Sequence, residues 1–143
     1  MSKDSLKALV VHLKANQTIK EAIQKDMIKH KLSMSEFMVL ELLYHKGPQT
    51  IQTIAKKVLL TSGSMTYVIN QLEKKNYVSR ERSEVDLRVF NVRLSSTGKE
   101  LMDSVFIEHE QMIENMFSPL SKQQIEQWIE LNKIIGINLE KKK

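Results

Sequence analysis

Between Ser62 and Leu72 the chain places small and hydrogen-bonding side chains in a run without a single charge. Ser62, Gly63, Ser64, Thr66 and Tyr67 open it, and Asn70 and Gln71 follow one turn later. Hydroxyls both donate and accept, amides do each at a separate atom, and a threonine methyl packs against the thymine methyl. These are the groups that read base edges in a DNA major groove. Basic residues bracket the run. From Lys56 to Arg93 stand Lys56, Lys57, Lys74, Lys75, Arg80, Arg82, Arg88 and Arg93 against Glu73, Glu81, Glu84 and Asp86, a local positive surplus suited to phosphate. Arg80 and Arg82 suit backbone contacts, which position a protein on DNA without specifying sequence. Asp86, two residues before Arg88, can orient that guanidinium through a charge-assisted hydrogen bond. Each group also has a plainer role, since Ser and Thr cap helices of any kind and Asp86 with Arg88 can be an ordinary surface pair.

The elements around these residues present them in order. Thr50 can cap a short helix with Ile51, Ile54, Ala55 and Val58 inward. Leu59-Leu60 turns the chain, and Thr61 or Ser62 caps a second helix over about 62–75 with Met65, Val68, Ile69 and Leu72 inward. Asn76 fits a left-handed C-cap. Two β-favouring runs, at Tyr77–Arg80 and Val89–Leu94, enclose a polar loop and form a hairpin over about 77–94. Helix, turn, helix and basic hairpin is the layout of a winged helix-turn-helix, with one helix in the major groove and the wing alongside. The expected class is therefore mainly α with a small β-hairpin wing.

Upstream, Leu6, Leu9, Val10, Leu13, Ile19, Ile23 and Met27 recur at helical spacing from Ser5 to about His30. Ser33 and Glu36 form a capping box, opening a strongly apolar helix that Gly47-Pro48 stops. Downstream, a long helix follows Ser95 or Ser96 and is broken at Ser118-Pro119, and a second capping box, Ser121 with Gln124, opens the last helix. The reading divides the chain into an N-terminal dimerisation helix at 1–32, the DNA-binding region at 33–96, and C-terminal dimerisation helices at 97–143.

Composition narrows the function classes. With 143 residues, 41% hydrophobic and 27% charged, the chain can bury one core, and its net charge is +5. The absence of cysteine removes disulfides, thiolate zinc sites and thiol redox sensing. No apolar run approaches the roughly 18 residues of a membrane span, and the start MSKDSLK lacks a signal peptide's apolar region, so a cytoplasmic protein without a membrane partner is expected. His12, His30, His45 and His109 make no H-x-H or H-E-x-x-H arrangement, and neither a nucleophile elbow nor a Gly-rich phosphate loop occurs. No enzyme, cofactor or metal site is expected.

The full layout resembles the MarR family of bacterial transcription regulators over nearly the whole chain. Three landmarks carry the likeness: Leu32–Leu43 (LSMSEFMVLELL), Ser62–Arg80 (SGSMTYVINQLEKKNYVSR), and Asp86-Leu87-Arg88 followed by Val92-Arg93-Leu94-Ser95 and Gly98. Within the family the chain is most similar to quinone- or methylhydroquinone-responsive repressors, related to the organic-peroxide sensors. Two departures stand out. Leu9 occupies roughly the place of the peroxide sensors' reactive cysteine, and Leu87-Arg88 replaces the two adjacent arginines often found after the wing aspartate.

The resemblance implies Arg88 as a groove-contacting wing residue, in a minor groove whose potential deepens where A·T tracts narrow it. It implies a homodimer on double-stranded DNA, with palindromic half-sites about 34 Å apart. The first and last helices, the latter with Trp128, Ile129, Ile135 and Leu139, would form its interface, unless they pack within the chain. It also implies a repressor released by a small effector, and a Met-rich lining would suit a flat quinone- or phenol-like aromatic. The family's pocket would draw here on His12, Met27, His30, Met34, Phe37, Met38, Phe106 and His109. The alternatives are a metal-responsive or ligand-independent regulator of the same type, and a winged-helix module that binds protein.

Overall fold

A computed structural model describes residues 3–58 and 64–142. The chain forms two compact units, Met1–Val105 and Phe106–Lys143. In order it folds as α1 (Lys3–Ile28), α2 (Met34–Lys46), β1 (Gln49–Thr50), α3 (Ile51–Lys57), α4 (Met65–Lys74), β2 (Val78–Arg82), β3 (Phe90–Leu94), α5 (Ser96–Phe117) and α6 (Lys122–Glu140). The division between units falls inside α5. Among the described residues, no helix is long and apolar enough to cross a membrane.

Local sequence signals set most boundaries of the first unit. Ser33 Oγ accepts from Glu36 N–H, and Glu36 Oε1 accepts from Ser33 N–H, so the expected capping box opens α2. Gly47, at φ 76°, ends it in a conformation that disfavours any residue with a Cβ. Thr50 Oγ1 accepts from Thr53 N–H and caps α3. Asn76, at φ 65°, supplies the left-handed stop after α4, with its N–H donating to Glu73 O and that of Tyr77 to Leu72 O. Lys31, at φ 57°, makes a second left-handed turn, between α1 and α2, that no local signal announced.

The core of this unit gathers Met27, Leu32, Phe37, Val39, Leu40, Ile54, Ile69, Leu72, Val78, Val92, Met102 and Val105. The pattern of α4 is cleanly two-sided: Met65, Val68, Ile69 and Leu72 are buried while Thr66, Tyr67 and Asn70 are exposed. One inward assignment fails. Ala55 is exposed, because the short α3 turns only Ile54 fully into the core, with Val58 buried at its C-cap.

The hairpin also gains a third strand. β3 lies between β1 and β2, antiparallel to both, with Gln49 opposite Val92, Thr50 opposite Asn91, and Arg80 opposite Val92 on the other edge. The two residues of β1 are too few for an alternating pattern to betray them. Their pairing attaches the start of α3 to the wing. The start of α5 is held against β2: Ser95 N–H donates to Tyr77 O (3.0 Å), and Ser95 Oγ donates to Asn76 O (2.6 Å) while accepting from Gly98 N–H (2.9 Å). Tyr44 Oη donates to Asp103 Oδ1 (2.6 Å), joining α2 to α5, and this bond raises the Tyr44 phenol above its ordinary range.

In the second unit the Ser121–Gln124 capping box is present, and Phe117 packs on Trp128 with ring centroids 4.9 Å apart. No residue of α6 is buried: Ile129, Leu131, Ile134, Ile135, Ile137 and Leu139 all lie open, as do Leu6, Leu9, Val10 and Leu13 of α1.

Candidate nucleic-acid interface

The residues expected at the tip of the groove helix divide at the edge of the described region. Ser62 and Gly63, with the candidate caps Thr61 and Ser62, lie outside the described residues. The described helix begins at Met65, with Ser64 as an N-cap that makes no side-chain hydrogen bond to it. Ser64, Thr66 and Asn70 are exposed, Tyr67 is 62% exposed, and Gln71 is half-buried. An uncharged, hydrogen-bonding face is thus turned to solvent at the start of α4, the end where free backbone N–H groups and the positive pole of the helix dipole favour a phosphate.

At the wing tip, Asp86 and Arg88 meet as their spacing suggests. Asp86 Oδ1 accepts from both the backbone N–H (3.0 Å) and Nε (3.1 Å) of Arg88, and Oδ2 accepts from Nη2 (3.2 Å). The guanidinium, and then the backbone N–H, hold the Asp86 carboxyl below the usual carboxylate range. Ser83 Oγ accepts from the N–H groups of Val85 and Asp86, Ser83 N–H donates to Val89 O, and Val89 N–H to Asp86 O, so the loop is a closed turn. The Arg88 side chain is nonetheless 90% exposed. Its geometry is that of a presented cation, aimed by its own carboxylate neighbour but free to meet an external anion.

Arg80 and Arg82 take different positions from one another. Arg82 lies over the Phe90 ring, 5.2 Å from its centroid, at the open end of the hairpin. Arg80 instead reaches back to α4, where Nε donates to Glu73 Oε1 (2.7 Å) and Nη2 donates to Asn70 Oδ1. Asn70, Glu73 and Arg80 therefore form one network joining the groove helix to the first wing strand. Sequence reasoning placed Asn70 and Arg80 at the interface separately and did not pair them. The i, i+3 spacing of Asn70 and Glu73 was the available signal, but nothing local brings β2 to that helix face.

A second unanticipated pair anchors the other end of α4. Lys75 Nζ lies 2.7 Å from Glu36 Oε2 and donates to Lys31 O (2.9 Å). Glu36, 7% exposed, thus serves both its capping box and an ion pair from a distant helix. The residues assigned to an effector pocket fall in both units. Among those of the first, Met27 and Phe37 are fully buried core, His30, Met34 and Met38 are half-buried, and His12 is exposed. In the second unit Phe106 is half-buried and His109 is buried. Among the described residues, no three His, Cys, Asp or Glu side chains converge as metal ligands would.

Comparisons with known proteins agree with this geometry. The MarR family profile matches residues 32–90, from the start of the α2 capping box through the wing tip. The HTH-type transcriptional regulator MhqR of Bacillus subtilis (strain 168) is 41% identical over 138 residues, covering 96% of this chain and 95% of its own. Among solved structures, AbsC, a MarR family transcriptional regulator from Streptomyces coelicolor, superposes with a TM-score of 0.90 at 22% identity, covering 98% of this chain and 97% of that one. Sco3205, a MarR family regulator from the same organism solved in complex with DNA, gives a TM-score of 0.88 at 17% identity, with 97% and 93% covered. An uncharged helix face beside an arginine-tipped wing, on a scaffold shared end to end with MhqR, places the chain in the MarR family as a DNA-binding transcriptional regulator.

Proposed function

We propose that this regulator is a homodimeric repressor that acts in the cytoplasm, binds a palindromic operator, and is released by a small quinone- or phenol-like aromatic. The carrying observation is the pairing of two surfaces that one chain leaves unused. The α4 tip and Arg88 form a base- and groove-reading face too small for tight binding alone, while α1 and α6 expose apolar rows. A twofold axis through those rows would bury them and set two α4 helices into successive major grooves, about 34 Å apart. In this arrangement Ser62, Gly63, Ser64, Thr66, Tyr67, Asn70 and Gln71 face the major groove, Arg82 meets phosphate, and Asp86 orients Arg88 in the minor groove. Residues 1–32 and 97–143 supply the interface and 33–96 the DNA-binding region.

Release by an effector requires tighter binding to the form that fits DNA poorly than to the form that fits it. The aromatic class follows from the chain's likeness to the quinone-responsive branch of the family, and His12, Met27, His30, Met34, Phe37, Met38, Phe106 and His109 are the residues assigned to that ligand.

Light scattering at micromolar concentration, followed by gel-shift titration with and without quinones and hydroxylated aromatic acids, tests the reading. The expected result is a dimeric mass and operator binding that these compounds weaken. A monomer refutes the interface, and affinity indifferent to every aromatic offered refutes the effector class.

A further inference from the structure

The network of Asn70, Glu73 and Arg80 bears on which base the groove helix selects. A guanidinium carries five N–H donors and no acceptor. The atom of the Asn70 amide that faces Arg80 Nη2 is therefore its oxygen, Oδ1. Turning the amide over would set its NH2 against the guanidinium, donor against donor, and forfeit a charge-assisted hydrogen bond. Arg80 cannot easily move aside, because Nε is held by Glu73 Oε1 at 2.7 Å and its backbone is paired to Val92 in the sheet. The amide is locked in one orientation, on the exposed face of α4 and one turn beyond Thr66.

A free asparagine in the major groove prefers adenine, because its oxygen and nitrogen together match adenine N6–H and N7. Asn70 has committed its oxygen to Arg80, so only its NH2 group is left to present. We infer that Asn70 is a specificity-determining residue that selects a base with acceptors on its major-groove edge, guanine through O6 and N7 or thymine through O4. It disfavours cytosine, whose N4–H2 would meet it donor to donor, and it gives up the bidentate match to adenine. Arg80 and Glu73 are positioning residues for this choice. The inference rests on α4 as the groove helix and deepens that reading.

Selection of bound duplexes from a randomised library, followed by sequencing, provides the test for the full-length protein and three variants. The wild type is expected to enrich an operator with guanine or thymine at one symmetry-related position in each half-site. Asn70→Ala should flatten the preference at that position by about fivefold or more while the other positions keep theirs. Asn70→Asp remains held by Arg80 but presents an acceptor, so the same position should switch to cytosine or adenine. Arg80→Met frees the amide to turn and should admit adenine there. Thermal melting and salt-sensitive binding to non-operator DNA check that each variant is folded. An enriched operator with no Asn70-dependent position, or with adenine at that position in the wild type, overturns the assignment alone. A wild-type protein that enriches no sequence overturns the operator reading and this assignment with it.

Discussion

Replacing Gly98 by alanine sets two effects of opposite sign against each other. Gly98 is buried in the first turn of α5, and helix propensity alone would make alanine stabilising there by about 0.5–1 kcal/mol. The structure argues the reverse. A Cβ on Gly98 would lie 2.1 Å from Tyr77 O and 2.9 Å from Tyr77 C, both backbone atoms of the segment entering β2. Ordinary contact needs the first turn of α5 to withdraw by roughly 1 Å, and close-packed sites of this kind resist with about 1–3 kcal/mol. Withdrawal also stretches the bonds from Ser95 N–H to Tyr77 O and from Ser95 Oγ to Asn76 O, each contributing about 1 kcal/mol. The net expectation is a destabilisation of about 2 kcal/mol or more, or a Tm lower by about 5 °C for a chain of this size. Denaturant melts of both proteins at matched concentration measure it, since subunit association would otherwise shift the midpoint. A Gly98→Ala protein as stable as the wild type, or more so, would refute the close approach of α5 to β2.

Two further outcomes concern the wing. Arg88→Ala should lower operator affinity by more than about tenfold, or roughly 1.4 kcal/mol, in a gel-shift titration, and retained affinity would remove Arg88 from the interface. The Asp86 carboxyl is depressed by Arg88, so its contribution to wing order is complete above the ordinary carboxylate range and is lost only as pH falls through the lowered folded value. Carbon-detected NMR of Asp86 should therefore show no titration between about pH 5 and 8, and Arg88→Ala should move its midpoint up toward the usual value. An unmoved midpoint would mean that the pair does not form in solution.

How far the chain could be read without coordinates depended on the reach of each interaction. Both capping boxes, the Thr50 cap and the stops at Gly47 and Asn76 join a residue to partners within a few positions, so sequence spacing alone exposed them. The two-sided pattern of α4 and the Asp86–Arg88 pair were legible for the same reason. Ala55 was misplaced because a helix of seven residues shows too little of its period to settle which side faces inward.

The sequence by itself determined the order of elements, the uncharged character of the groove helix and the basic character of its flanks. Tertiary structure alone decided that β1 joins the wing, that Lys75 neutralises Glu36, that Gly98 leaves room for Tyr77, and that Arg80 turns inward to hold Asn70 and Glu73. Each of those depends on segments brought together by burying Ile54, Ile69, Leu72, Val78 and Val92 in one core, and no local spacing encodes which distant backbone will arrive beside a given side chain.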